Sequence, residues 1–211
     1  MVRIKQIIVF KLFLVFFFVL IFPLNVFSKT NVITCFGDSL TAGYGLEIKE
    51  SYPSLLQEKL KKEGFNYNII NSGISGDTTA GGLSRVDWVL KTNPEIVILE
   101  LGANDAMRGV PIEETKKNLS KIIEKIKAKN VKILFCGMKA PRNLGKTYIK
   151  SFDEMYPELS KKYSLKLLPF FLEGVALKKE LNTSDGVHPN KKGYDIIVNN
   201  NVFPYLKSFL K

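Results

Sequence analysis

From residue 31 onward the chain alternates short apolar runs with longer stretches in which apolar positions recur every three or four residues. Runs at 31–36, 67–71, 95–100, 131–136 and 166–168 have strand length and predict five strands. Between them the helical period predicts segments at 51–63, 79–91, 111–129, 148–163 and 190–210. The segment 111–129 is the clearest, with Leu119, Ile122, Ile123 and Ile126 on one face behind Pro111 and Glu113. Pro157 and Pro204 are expected to interrupt the last two segments, because a proline inside a helix removes a backbone donor. Strand-helix alternation of this kind argues for βαβ units, hence an α/β fold on a parallel sheet. Right-handed crossovers then bring every strand's carboxyl end to one edge, where open α/β sheets bind ligands. Ser39 follows the first strand, Gly73 the second and Asn104 the third, while the loop holding Asp185 and His188 follows the last after a long connection.

Residues 1–28 break the rhythm. Arg3 and Lys5 precede a run over 7–27 that is apolar apart from Lys11, Pro23 and Asn25. Its unbroken part, 12–22, matches the core of a signal peptide and is short for a bilayer span. An export signal cleaved after Ser28 is preferred over a retained N-terminal membrane anchor. Residues 29–211 then form one domain, periplasmic or secreted.

Charge adds little. The chain holds 31 basic and 20 acidic residues, a net +11; losing Arg3, Lys5 and Lys11 leaves 28 against 20, or +8. Scattered lysines are first of all solvated helix faces, and only secondarily a sign of contact with anionic membranes or substrates. No arginine-rich stripe interleaved with aromatics marks a nucleic-acid partner. No apolar stripe marks a subunit interface, so a monomer is expected. Cys35 and Cys136 fall on non-adjacent strands, about 9–10 Å apart at two inter-strand spacings, too far for a disulfide. Both read as buried free thiols.

The chemistry centres on one residue: His188 is the single histidine of the chain. A serine that attacks a carbonyl carbon needs a base near neutral pKa, and imidazole is the usual one. Asp185, three residues earlier, can bond one ring nitrogen and leave the other for a hydroxyl. Ser39 sits in Gly37-Asp38-Ser39-Leu40, a turn that exposes a hydroxyl and aims backbone N–H groups at a developing oxyanion, although a capping serine explains the same residues. Gly73, in a second glycine-rich turn, offers a bare backbone N–H; an ordinary turn before a helix capped by Asp77 or Thr78 is the alternative. Asn104 presents an amide donor suited to an oxyanion, or serves turn chemistry, with Asp105 beside it a local structural partner. One histidine with no second histidine or cysteine nearby disfavours zinc. A Walker lysine, a G-x-G-x-x-G loop and a G-x-S-x-G elbow are all missing.

Together these four blocks resemble the SGNH (GDSL) hydrolase superfamily, whose hallmark residues are Ser, Gly, Asn and His in that order. The resemblance spans essentially all of 31–210. It extends toward a branch of periplasmic bacterial esterases, thioesterases and lysophospholipases through 37–45, 74–78, 100–109, 168–173 and 185–190. It implies Ser39 as nucleophile, His188 as base, Asp185 as its orienter, and an oxyanion hole from the Ser39 and Gly73 N–H groups and the Asn104 side chain. It also implies a three-layer α/β/α sandwich with a five-stranded parallel sheet in flavodoxin-like order 2-1-3-4-5, and no cofactor. Its substrates would be small acyl esters, thioesters or lysophospholipids. One departure is 140–145, where Arg142 stands in a loop that the branch fills with uncharged residues; this bears on acyl-chain and head-group preference. Two rival readings share the scaffold: a carbohydrate O-acetylesterase and a non-catalytic acyl-binding protein.

Overall fold

A computed structural model describes residues 31–211. The signal or anchor reading of 1–28 lies outside those residues. Five strands form a single sheet: β1 Asn31–Gly37, β2 Tyr67–Gly73, β3 Ile96–Glu100, β4 Lys132–Cys136 and β5 Lys166–Leu168. All four pairings are parallel, in the order β2-β1-β3-β4-β5 that the family resemblance implied. The central strand β3 is buried along its whole length, which is why its sequence is a continuous apolar run closed by a single carboxylate.

The main helices are α1 Ser39–Ala42, α2 Tyr52–Lys62, α3 Thr79–Leu90, α4 Ala103–Met107, α5 Ile112–Lys127, α6 Lys146–Tyr163, α7 Lys191–Ile196 and α8 Phe203–Leu206. Helices α3, α5 and α6 pack side by side on one face of the sheet; α2 packs with the C-terminal helices on the other. Leu119, Ile122, Ile123 and Ile126 of α5 are fully buried, so the stripe seen in the sequence is the stripe that meets the sheet. At about 1.5–3 kcal/mol per buried aliphatic side chain, that stripe alone outweighs the helix's modest intrinsic propensity.

Two expectations need correction. Helix α6 runs unbroken through Pro157. The proline costs about 3 kcal/mol, but Phe152, Met155, Tyr156 and Leu159 are buried on both sides of it and hold the helix in place. The C-terminal segment does not break at Pro204 either. It widens into a π-helical stretch at Ile197–Val202, and Pro204 then falls in the first turn of α8, where its missing N–H is harmless. Helices α1 and α4 are additions: the turns after β1 and β3 each wind into one short helix. Cys35 and Cys136 are buried and unpaired on β1 and β4, with β3 between them. Burial pushes the Cys35 thiol up to about 12.

Candidate active site

The sheet register sets the geometry. Gly37 at the end of β1 is level with Gly73 at the end of β2 and with Glu100 at the end of β3. Ser39, Gly73 and Asn104 therefore emerge from three adjacent strands at one edge. The fourth segment arrives by a loop closed on itself: an isolated bridge pairs Asn182 with Pro189, and the Thr183 N–H donates to the His188 carbonyl at 2.8 Å. The Asn182 amide anchors the loop base on the Val175 and Lys178 carbonyls. Tyr194 of α7 donates to the Leu40 carbonyl at 2.9 Å, tying the C-terminal layer to the turn that carries Ser39.

Across this junction the ring Nε2 of His188 lies 2.9 Å from Ser39 Oγ, and its Nδ1 lies 2.6 Å from Asp185 Oδ2. The second Asp185 oxygen accepts from the backbone N–H of His188 and Val187 and from the Thr183 hydroxyl. These bonds, led by the His188 backbone N–H, hold the Asp185 carboxyl well below the usual carboxylate range. Tyr44 packs its ring 4.8 Å from the imidazole. The structure thus brings Ser39, His188 and Asp185 into one hydrogen-bonded row.

The three expected oxyanion donors are near at hand but not equally free. Ser39 opens α1, so its N–H has no intrahelical acceptor. The Gly73 N–H donates to Asn71 Oδ1 at 2.9 Å. Both hydrogens of the Asn104 amide are engaged, one by Asp38 Oδ2 and one by the Asp77 carbonyl, each at 3.0 Å. To serve as oxyanion donors, Gly73 and Asn104 would have to leave these acceptors. Gly73 cannot be another residue: a Cβ there would sit 2.2 Å from the Ala42 nitrogen, in the backbone of α1. Gly102 precedes α4 with φ of +119°, and a Cβ would meet the Tyr156 hydroxyl at 2.4 Å. Asp105 is structural, as its position suggested, accepting from the Thr79 N–H and hydroxyl and from Thr115.

Three partners went unrecognised in the sequence. Arg85 of α3 donates to Asp77, to the Ser72 carbonyl and to the Gly37 carbonyl at 2.7–2.9 Å, and stacks 4.6 Å over Phe36. It clamps the ends of β1 and β2 on either side of Gly73. Asp38 caps α1 by accepting from the Leu40 N–H at 3.0 Å, and burial pushes its carboxyl up to about 6. Glu100 lies fully buried beneath the turn, accepting from the Thr41 hydroxyl at 2.8 Å, while its other oxygen has no partner. The signal available was a charged residue closing the most apolar strand, which no solvated face could explain.

Burial first, and the neighbouring Asp38 second, push the Glu100 carboxyl well above its ordinary 4.5. A carboxyl raised on folding stabilises the protein fully below 4.5 and loses that contribution as pH rises through the folded value. Glu100→Gln removes this dependence. Its unfolding free energy relative to wild type, from denaturant melts, is expected to rise as pH climbs above 4.5, with a limiting slope of about 1.4 kcal/mol per pH unit. A difference that stays constant with pH would contradict this account of Glu100.

With this geometry in place, comparison with known proteins is specific. The model of the GDSL-like lipase/acylhydrolase family matches residues 35–196. The chain belongs to that family and is an ester hydrolase by class. It is 42% identical over 173 residues to an arylesterase of Vibrio mimicus, covering 81% of this chain and 86% of that protein. It is 38% identical over 184 residues to the esterase TesA of Pseudomonas aeruginosa, covering 87% and 91%. A crystal structure of TesA superposes with a TM-score of 0.81 at 36% identity, covering 85% of this chain and all of the other.

Proposed function

We propose that the protein is a serine esterase that hydrolyses carboxylic ester and thioester bonds of acyl substrates, an activity of the arylesterase, thioesterase and lysophospholipase type. The carrying observation is the row from Ser39 Oγ through the imidazole of His188 to Asp185. Ser39 Oγ attacks the carbonyl carbon while His188 Nε2 takes its proton, and Asp185 holds the ring and stabilises the imidazolium. The carbonyl oxygen becomes an oxyanion held by the Ser39 and Gly73 N–H groups and the Asn104 amide. The carbon–oxygen or carbon–sulfur bond then breaks, and His188 returns its proton to the departing alcohol or thiol. Water, deprotonated by His188, attacks the acyl-Ser39 ester and releases the acid and the free serine.

A cavity of about 610 Å³ opens beside the histidine loop. Met107, Met138, Pro141, Phe170, Leu172 and Val187 supply much of its apolar lining, and its volume suits an acyl chain well beyond acetyl. Activity on p-nitrophenyl esters is therefore expected to rise from acetate to chains of six carbons or more. The assay is kcat/KM across a series of chain lengths. A collapse beyond acetate would instead favour a carbohydrate O-acetylesterase.

A further inference from the structure

Seven large apolar side chains stand exposed among the described residues: Tyr44, Ile48, Ile74, Trp88, Met107, Leu177 and Val187. Exposed apolar residues scattered singly are ordinary on a protein surface. These are not scattered. Tyr44 lies against His188, Ile74 follows Gly73, and Met107, Leu177 and Val187 line the cavity mouth, so five of the seven gather about the site. Leu177 is the extreme case, 92% exposed and held at φ of +65°, a conformation unfavourable for a leucine. Nothing among the described residues covers its side chain to offset that strain.

The same mouth is basic. Lys139, Arg142 and Lys178 line it against a single acid, Glu173, which stands 4.0 Å from Lys139. Arg142 and Lys178 have no ion-pair partner among the described residues. A second copy of the chain fits poorly here, because a two-fold contact would bring like unpaired cations together. Exposed apolar tips interleaved with unpaired cations instead match a surface with anionic head groups over acyl chains. We infer that the face around Ser39 and the cavity mouth docks on anionic lipid surfaces, with Leu177 and Val187 entering the head-group region and Arg142 and Lys178 meeting the phosphates. This goes beyond the proposed hydrolysis and does not require it.

The test is co-sedimentation of Ser39→Ala protein, which leaves lipid esters intact, with vesicles of seven parts phosphatidylcholine to three parts phosphatidylglycerol. Binding is expected to these vesicles and to be much weaker on pure phosphatidylcholine. Each cation near such a surface is worth about fivefold in affinity, so Arg142→Gln with Lys178→Gln should weaken binding by roughly 25-fold. Leu177→Ser alone should also weaken it. Lys91 and Lys129 border a separate hollow with Pro94 and Val131, at the amino-terminal edge of the sheet. Lys91→Gln with Lys129→Gln removes the same charge there and should change affinity by less than about threefold. Three results would overturn the inference: no preference for the anionic vesicles, equal loss from both double variants, or dimerisation that Leu177→Ser abolishes in a protein that ignores vesicles. Turnover of p-nitrophenyl acetate by the wild-type protein, measured separately, reports on the hydrolysis instead.

Discussion

Ser39→Ala and His188→Ala are each expected to lower kcat by on the order of 10⁴–10⁶, with the fold retained. In the proposed mechanism Ser39 supplies the attacking oxygen, and alanine offers none. His188 is the only imidazole in the chain, so no neighbour can take over the proton. Both side chains sit at the edge of the sheet rather than in its core, and the turn bearing Ser39 is held by other bonds: the Asp38 cap, the Thr41–Glu100 contact and Tyr194. Circular dichroism and melting temperature close to wild type, with turnover near background, is the expected pair of results. The two losses should not add in the double variant, because either deletion removes the same step.

Asn104→Ala is expected to cost about 10²–10³ in kcat with little change in KM, the pattern of an interaction strengthened only in the transition state. The structure makes the origin specific. The Asn104 amide now spends its hydrogens on Asp38 and the Asp77 carbonyl, and releasing one to an oxyanion exchanges a ground-state bond for a charge-assisted one. Helix α4 should survive, since Asp105 still binds Thr79 and Thr115. The deletion also leaves Asp38 Oδ2, in a side chain almost wholly buried, without its amide donor. Steady-state kinetics on a single p-nitrophenyl ester decides the matter: a fall of less than tenfold in kcat would remove Asn104 from the oxyanion role.

What the sequence revealed and what it hid follow from range. The strands and α5 were legible because their signal is local: a run of Val, Ile and Leu, or a stripe at the helical period. That Ser39 and His188 could meet was suggested by the edge rule for parallel sheets, by the single histidine and by the family resemblance, none of which shows the contact itself. Pro157 misled because propensity carries no information about the buried side chains that keep α6 continuous. The turns after β1 and β3 are too short to show a period, so α1 and α4 passed as loops. Hardest to see were the groups supporting the site. Arg85 reads as one more helix-face cation until the ends of two strands place the Gly37 and Ser72 carbonyls around it. Glu100 reads as a strand terminus until its complete burial beneath Ser39's turn is known. The engagement of Gly73 by Asn71 is likewise a matter of side-chain rotamer, which no spacing encodes.

The proposed nucleophile is the Ser39 oxygen, 2.9 Å from the imidazole of His188. Reaction with a fluorophosphonate ester, followed by intact-mass and peptide mass spectrometry, tests it most directly. One adduct per chain, located on Ser39 and formed at least a hundredfold more slowly in His188→Ala, is the expected result. Labelling at another residue, or an undiminished rate in His188→Ala, would contradict it.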